Sequence, residues 1–313
     1  MNMMKKTPYL VALTIALFGT AAAFAAPASL QVTLSIAPNT TLPGLSVPLN
    51  LHVENGASAL HLGPSVRVRL TSPSGESFFA DWGEGVNSGE LELGLTSDDD
   101  PSLTVPANSS LDLGVPAADL SRPSWALDRR MLAMPGDWTL QVYLYSDDAT
   151  NPVAVSNTAK LTIQTPSGND FPIWQAIQKG EYPGIGQKVA ADQKGSAYFP
   201  YLATVVARFA ITDKIAIISQ AIAAQPDSPA VPSLHYALAS YYASEADRVF
   251  FQEHDLDKAA SLADKGRAEL ATLKNGKDNW GKLKATAKLA DFPSRDYFVS
   301  LQTLQREKGT KKP

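Results

Sequence analysis

The spacing of apolar residues changes once along this chain of 313 residues, near Thr165, and that change restricts its fold more than any other feature. Before it, apolar residues alternate: Val32, Leu34 and Ile36; Val47, Leu49, Leu51 and Val53; Val66, Val68 and Leu70; Trp138, Leu140, Val142 and Leu144; Leu161 and Ile163. Period two puts one face of a strand in a core and the other in water. After Thr165 the apolar residues recur at three and four, as one face of a helix requires. Tyr198, Tyr201, Leu202, Val205 and Phe209 mark one helix, and Ile215, Ile218, Ala221 and Ile222 the next. Leu234, Leu238, Ala239 and Tyr242 mark a third, with Ala259, Leu262, Ala263 and Leu270 on its partner. A multidomain all-β plus all-α fold follows: residues 26–165 as a β-sandwich and 166–313 as helical hairpins.

Punctuation supports this division. Leu42-Pro43-Gly44, Glu54-Asn55-Gly56, Ser72-Pro73-Ser74-Gly75 and Met134-Pro135-Gly136-Asp137 carry turn chemistry between the alternating runs. Asp81 to Leu120 is rich in Gly, Ser, Asp and Pro and predicts a long insertion or several irregular strands. Pro166 to Asp170 reads as a linker that ends in a helix N-cap at Asp170, with Pro172 near the first turn. Flanking helices are expected near Phe171–Lys179 and Pro293–Gln305.

Pro135-Gly136-Asp137-Trp138-Thr139-Leu140-Gln141-Val142 resembles a motif found late in bacterial immunoglobulin-like domains, where a Pro-Gly turn feeds a strand with an inward aromatic. Leu42 to Asn55 is similar to the early strands of such domains. The helical half resembles the tetratricopeptide repeat, a stack of antiparallel helix pairs. Tyr198, Tyr201, Leu202 and Val205 match the first helix of one unit, and Ile218, Ala221 and Pro226 its second. Lys214 departs from the small residue of the pattern, and about eight extra residues around Val249 to Asp255 separate the helices of the next unit. These resemblances imply architecture, not a particular activity.

Residues 1–25 have the zones of a signal peptide: Lys5 and Lys6, the apolar run Leu10 to Phe18, and the small-x-small Ala23-Phe24-Ala25. Cleavage is expected after Ala25, with Ala26 or a neighbouring bond as the alternative. The run is shorter than the roughly 20 apolar residues that span a bilayer, so no membrane insertion is expected after cleavage. The chain has no Cys, which removes a lipid anchor and disulfides from consideration. A periplasmic or secreted bacterial protein is the expectation.

Charge is unevenly spread. Residues 27–165 hold 6 Lys+Arg against 15 Asp+Glu, a net of −9, and residues 166–313 hold 19 against 16, a net of +3. Neither half has the concentrated basic face of a nucleic-acid binder.

A nucleophile triad needs a His in a suitable setting. His52, His61, His235 and His254 sit in no such motif, and His235 is expected to pack or to line a groove. Asp98-Asp99-Asp100 offers carboxylates for calcium but lacks the spacing of a calcium loop, so it reads as a solvated turn, as does Asp147-Asp148. No catalytic, metal or cofactor residue is expected. Trp138 reads as core by its alternation, whereas Trp82 and Trp125 fall in loops and are candidate contacts. Tyr236, Tyr241 and Tyr242 head a dense aromatic cluster with Phe250 and Phe251, as core or as anchors on a shallow concave surface. The leading expectation is a non-enzymatic adaptor or assembly protein of the cell envelope with a protein or peptide partner. A carbohydrate or cell-wall binding module and a hydrolase with distant paired carboxylates are the alternatives. Oligomeric state does not follow from the sequence.

Overall fold

The computed structural model describes residues 30–45, 48–56, 60–62, 66–82, 103–105, 107–116, 134–145, 151–178, 194–209 and 213–310. The segment 1–25, Asp98–Asp100, Trp125 and Asp147-Asp148 lie outside these residues.

The alternating runs form strands that pair antiparallel. β1 (Gln31–Ile36), β3 (Pro48–Asn55) and β8 (Ser109–Pro116) make the first sheet, in the order β1-β3-β8. The second runs β2 (Thr40–Thr41), β11 (Ala159–Ile163), β9 (Gly136–Leu144), β5 (Val66–Thr71), β6 (Ser77–Trp82). Within it β2 pairs parallel with β11, and β10 (Ala154–Val155) pairs with the far end of β9. β4 (Leu60–Leu62) and β7 (Leu103–Val105) form a separate ladder. The Gly/Ser/Asp/Pro-rich stretch therefore contributes β7 and β8.

One core lies between the two sheets. Leu34 stands opposite Leu51 in the first, Leu70 opposite Leu140 in the second, and all four are buried. Burying each such side chain contributes about 1.5–3 kcal/mol. Trp138 is also buried, its indole N–H donating to the Met134 carbonyl at 2.9 Å. The hairpin between β5 and β6 closes through Gly75, at φ +84°, whose N–H donates to Ser72 at 2.9 Å. Asn157 tends the edge strand β1: its Oδ1 accepts from the Leu34 N–H at 2.7 Å and its Nδ2 donates to the Leu34 carbonyl at 3.0 Å. An amide side chain thus takes the place of a neighbouring strand.

Beyond Ile163 the described elements are helices. α1 is Asp170–Gln178, α2 Phe199–Phe209, α3 Lys214–Ala224, α4 Val231–Arg248, α5 Leu256–Lys274, α6 Asn279–Asp291 and α7 Arg295–Thr310. Successive helices from α2 to α6 pack on one another, and α7 packs on α5. The residues expected to be an insertion, around Val249 to Asp255, instead continue α4 as a π-helical turn, Val249–Glu253. Its Val249 and Phe250 are buried, with Phe250 stacked at 5.1 Å on Phe298 of α7, so apolar packing keeps the turn helical. His254, at φ +56°, ends it, and the Asp255 carboxylate caps α5 by accepting from the Lys258 N–H.

Asp170 does not cap α1, as the sequence suggested. It is that helix's first residue, and its carboxylate accepts from Ser196 Oγ at 2.6 Å and the Ala197 N–H at 2.9 Å, ahead of α2. α6 is a helix the sequence did not announce. Asp278 caps it by accepting from the Gly281 N–H at 2.6 Å, and Leu283 reaches the core of the sheets. α6 lies against β8 and β3 on one side and α5 on the other, joining the two halves. Among the described residues no helix is long and apolar enough to cross a membrane.

Candidate functional site

α4 is the helix on which the predicted aromatic residues converge, and it packs between α3 and α5. Leu234, Leu238, Ala239 and Ala246 give it a buried face. Tyr236, Tyr241 and Tyr242 flank that face and are half-buried. They do not share one surface. Tyr241 and Tyr242 pack against the cluster of Phe199, Ala203, Ile218 and Leu234, built by α2, α3 and α4. Tyr236 packs on the opposite side, against Leu270, Leu273, Ala285 and Phe292. Phe250 is core, while Phe251 is exposed.

Two interactions give the tyrosines a polar setting. The Lys214 ammonium sits 5.3 Å from the centroid of the Tyr241 ring. The charge of this long side chain thus rests on an aromatic face. On the other helix neighbour, His235 Nδ1 lies 2.6 Å from Glu269 Oε2 of α5, with both side chains largely buried. Burial raises the Tyr242 pKa above its ordinary value, and the Glu269 charge raises it further. Tyr242 therefore stays a neutral phenol that can donate and accept hydrogen bonds. α4 thus carries aromatic surface on two sides, with the Lys214 cation contributed by α3 and the Glu269 carboxylate by α5.

The remaining candidates are placed differently. Trp82 is not in a loop: it is the last residue of β6, opposite Val66, so the β5–β6 hairpin extends into the stretch from Asp81 that was expected to be irregular. His61 is the middle residue of β4, opposite Thr104. His52 points outward from β3, with Nδ1 2.7 Å from Asp112 and Nε2 3.3 Å from Glu54. Among the described residues no group of three or more His, Asp or Glu is arranged to hold a metal ion. Sequence reasoning missed Glu269 as the partner of His235; the two are 34 positions apart and no local motif links them.

No family model matches the chain, and no curated protein matches it by sequence. Among solved structures it is similar to the sporulation control protein Spo0M of Bacillus subtilis, at 10% identity over 48% of this chain and 55% of that one, with a TM-score of 0.27. The aligned region thus spans about half of Spo0M. A second is the CARDB domain of the PF1109 protein from Pyrococcus furiosus, in complex with di-metal ions, at 12% identity over 44% of this chain and 94% of that one, TM-score 0.24. A third is AvmM, which catalyses macrocyclization in alchivemycin A biosynthesis, at 8% identity over 45% and 91%, TM-score 0.23. Likeness at this level carries no functional argument.

Proposed function

We propose that this chain is an exported, non-enzymatic adaptor or assembly protein of a bacterial cell envelope, with an immunoglobulin-like unit at 26–165 and a tetratricopeptide-like unit at 166–313. The observation that carries the reading is the half-burial of Tyr241 and Tyr242 on one side of α4 and of Tyr236 on the other. Half-buried rings anchored in a core give contact area at small entropic cost, which is what a protein or peptide partner needs. The Lys214 and Glu269 charges beside them supply orientation.

The test is crosslinking of the native protein in its envelope, with mass spectrometry to identify what is captured, repeated for Tyr241→Ala and Tyr236→Ala. A partner retained by the wild-type protein and weakened at least about tenfold by either change supports the reading. Capture that ignores both changes, or retention on peptidoglycan with no protein partner, overturns it. The same preparation reports export: the mature chain should begin at or next to Ala26.

A further inference from the structure

We infer that Asn157 is a latch over a self-association edge: once its amide is withdrawn, β1 pairs antiparallel with β1 of a second copy of this chain. β1 stands at one end of its sheet, and among the described residues β3 is the strand it pairs with. Residues along an antiparallel strand alternate in the direction of their backbone hydrogen bonds. The Leu34 N–H and carbonyl turn away from β3, where the Asn157 side chain takes both. The same groups of Val32 and Ile36, two residues to either side, share that outward direction.

The hydrogen bonds specify the kind of strand. Asn157 offers one acceptor and one donor to the same residue, at 2.7 Å and 3.0 Å. Facing residues of an antiparallel hydrogen-bonded pair exchange both bonds in this way, whereas the slanted bonds of a parallel pair do not. The amide therefore occupies the place of an antiparallel partner residue opposite Leu34. Asn157 is exposed, so its side chain can swing into water. Its neighbour Ser156 is fixed independently on β9: the Ser156 Oγ accepts from the Val142 N–H, and the Ser156 N–H donates to the Val142 carbonyl, each at 2.9 Å. Release of the amide thus leaves the segment after β10 anchored.

The make-up of β1 selects the occupant. Edge strands are ordinarily guarded by charged side chains, by Pro or by a bulge. Gln31–Ile36 holds no charge and no Pro, so the amide is the guard present at this edge. Gln31, Thr33 and Ser35, the exposed residues of the strand, are all neutral, and two copies meet there without like-charge repulsion. A two-fold axis at Leu34 makes the strand its own antiparallel partner. The two Leu34 residues then exchange both bonds, Val32 pairs with Ile36 of the second copy, and Thr33 faces Ser35. The buried Val32 and Leu34 side chains stay in their own core throughout.

The experiment compares the mature chain with Asn157→Ala by sedimentation equilibrium over a range of concentrations. Asn157→Ala should self-associate at least about tenfold more tightly than the wild type, as a dimer. Should Asn157→Ala fail to fold by circular dichroism, Asn157→Ser carries the same expectation, because its hydroxyl is too short to span both Leu34 groups. The chain has no Cys, so introduced thiols report the register. Thr33→Cys and Ser35→Cys, each added to the latch variant, should form disulfide-linked dimers faster when mixed than when either is oxidised alone. Thr33→Lys with Ser35→Lys places like charges opposite one another and should return the latch variant to the wild-type association. A folded latch variant that sediments as the wild type does overturns the inference. So does a dimer indifferent to the two lysines, or crosslinking no faster in the mixture.

Discussion

Tyr198 donates its phenolic hydrogen to the Pro43 carbonyl at 2.9 Å, linking the residue ahead of α2 to a turn 155 positions earlier, between β2 and β3. Leu42 and Leu45 from that turn pack with Ile173, Tyr198 and Leu202, so the hydrogen bond sits inside a small apolar cluster between the halves. Burial, and secondarily the Asp170 charge, push the Tyr198 pKa far up, which keeps the hydroxyl protonated as a donor. Tyr198→Phe leaves the Pro43 carbonyl unpaired in that cluster and should cost about 1–3 kcal/mol. Urea unfolding followed by circular dichroism measures it; an unchanged midpoint would mean that water replaces the hydroxyl.

Gly266 marks a close approach within the helical half. A Cβ there would lie 2.5 Å from Phe292 Cζ and 3.2 Å from the Ala239 carbonyl oxygen of α4. Gly266→Ala gains about 1 kcal/mol of helix propensity. Overpacking of a filled core costs about 1–3 kcal/mol, so the net change should be destabilising. Phe292→Leu trims the atoms that clash, so the two substitutions together should cost less than the sum of each alone. Thermal or urea unfolding of the four proteins checks both statements, and strict additivity would place the strain elsewhere.

The parts of this fold that were legible in the sequence are those with a strong local period. Trp138, Leu140, Val142 and Leu144 announce β9 because alternate residues share one buried face. Gly44 and Gly75 announce their turns because both take positive φ. α6 was not legible because its buried surface is divided between two neighbours. Leu283 faces the sheets and Ala285 faces α5, so no single apolar stripe forms, and even Lys284 is 5% exposed. The tyrosines of α4 were legible as a cluster, but not their division between two packing clusters, which depends on the positions of α3 and α6. His235 and Glu269 meet only through tertiary packing of α4 on α5.

That pairing has a spectroscopic consequence at Tyr242. Burial is the larger cause of its raised pKa and the Glu269 carboxylate the smaller. Glu269→Gln removes the charge and keeps the size, so the Tyr242 pKa should fall yet remain above the ordinary tyrosine value. Ultraviolet titration of tyrosinate, with a Tyr242→Phe control to identify the signal, measures the shift. A return to the ordinary value would make charge, not burial, the controlling cause.

His52 should give the sandwich a small, pH-dependent increment of stability. It stands directly opposite Asp112 across the β3–β8 ladder, with the imidazole 2.7 Å from that carboxylate and 3.3 Å from Glu54. The hydrogen bond to Asp112 is the main cause that raises its pKa above 6.5; burial acts against it, and the hydrogen bond to Glu54 adds to the rise. A histidine whose folded-state pKa is raised binds its proton more tightly when folded. Its contribution is therefore fully present below the unfolded pKa of 6.5 and is lost as pH rises through the higher folded-state value. Because the side chains are 40% and 60% exposed, solvent screens the pair. The increment should be a few tenths of a kcal/mol and smaller still in high salt. Unfolding free energies of the wild type and His52→Gln, compared at about pH 5.5 and about pH 8.5 in low salt, isolate it. The wild type should lead at the lower pH and the difference should close at the higher one. A difference of the same size at both would assign the effect to packing on the strand instead of to the protonated pair.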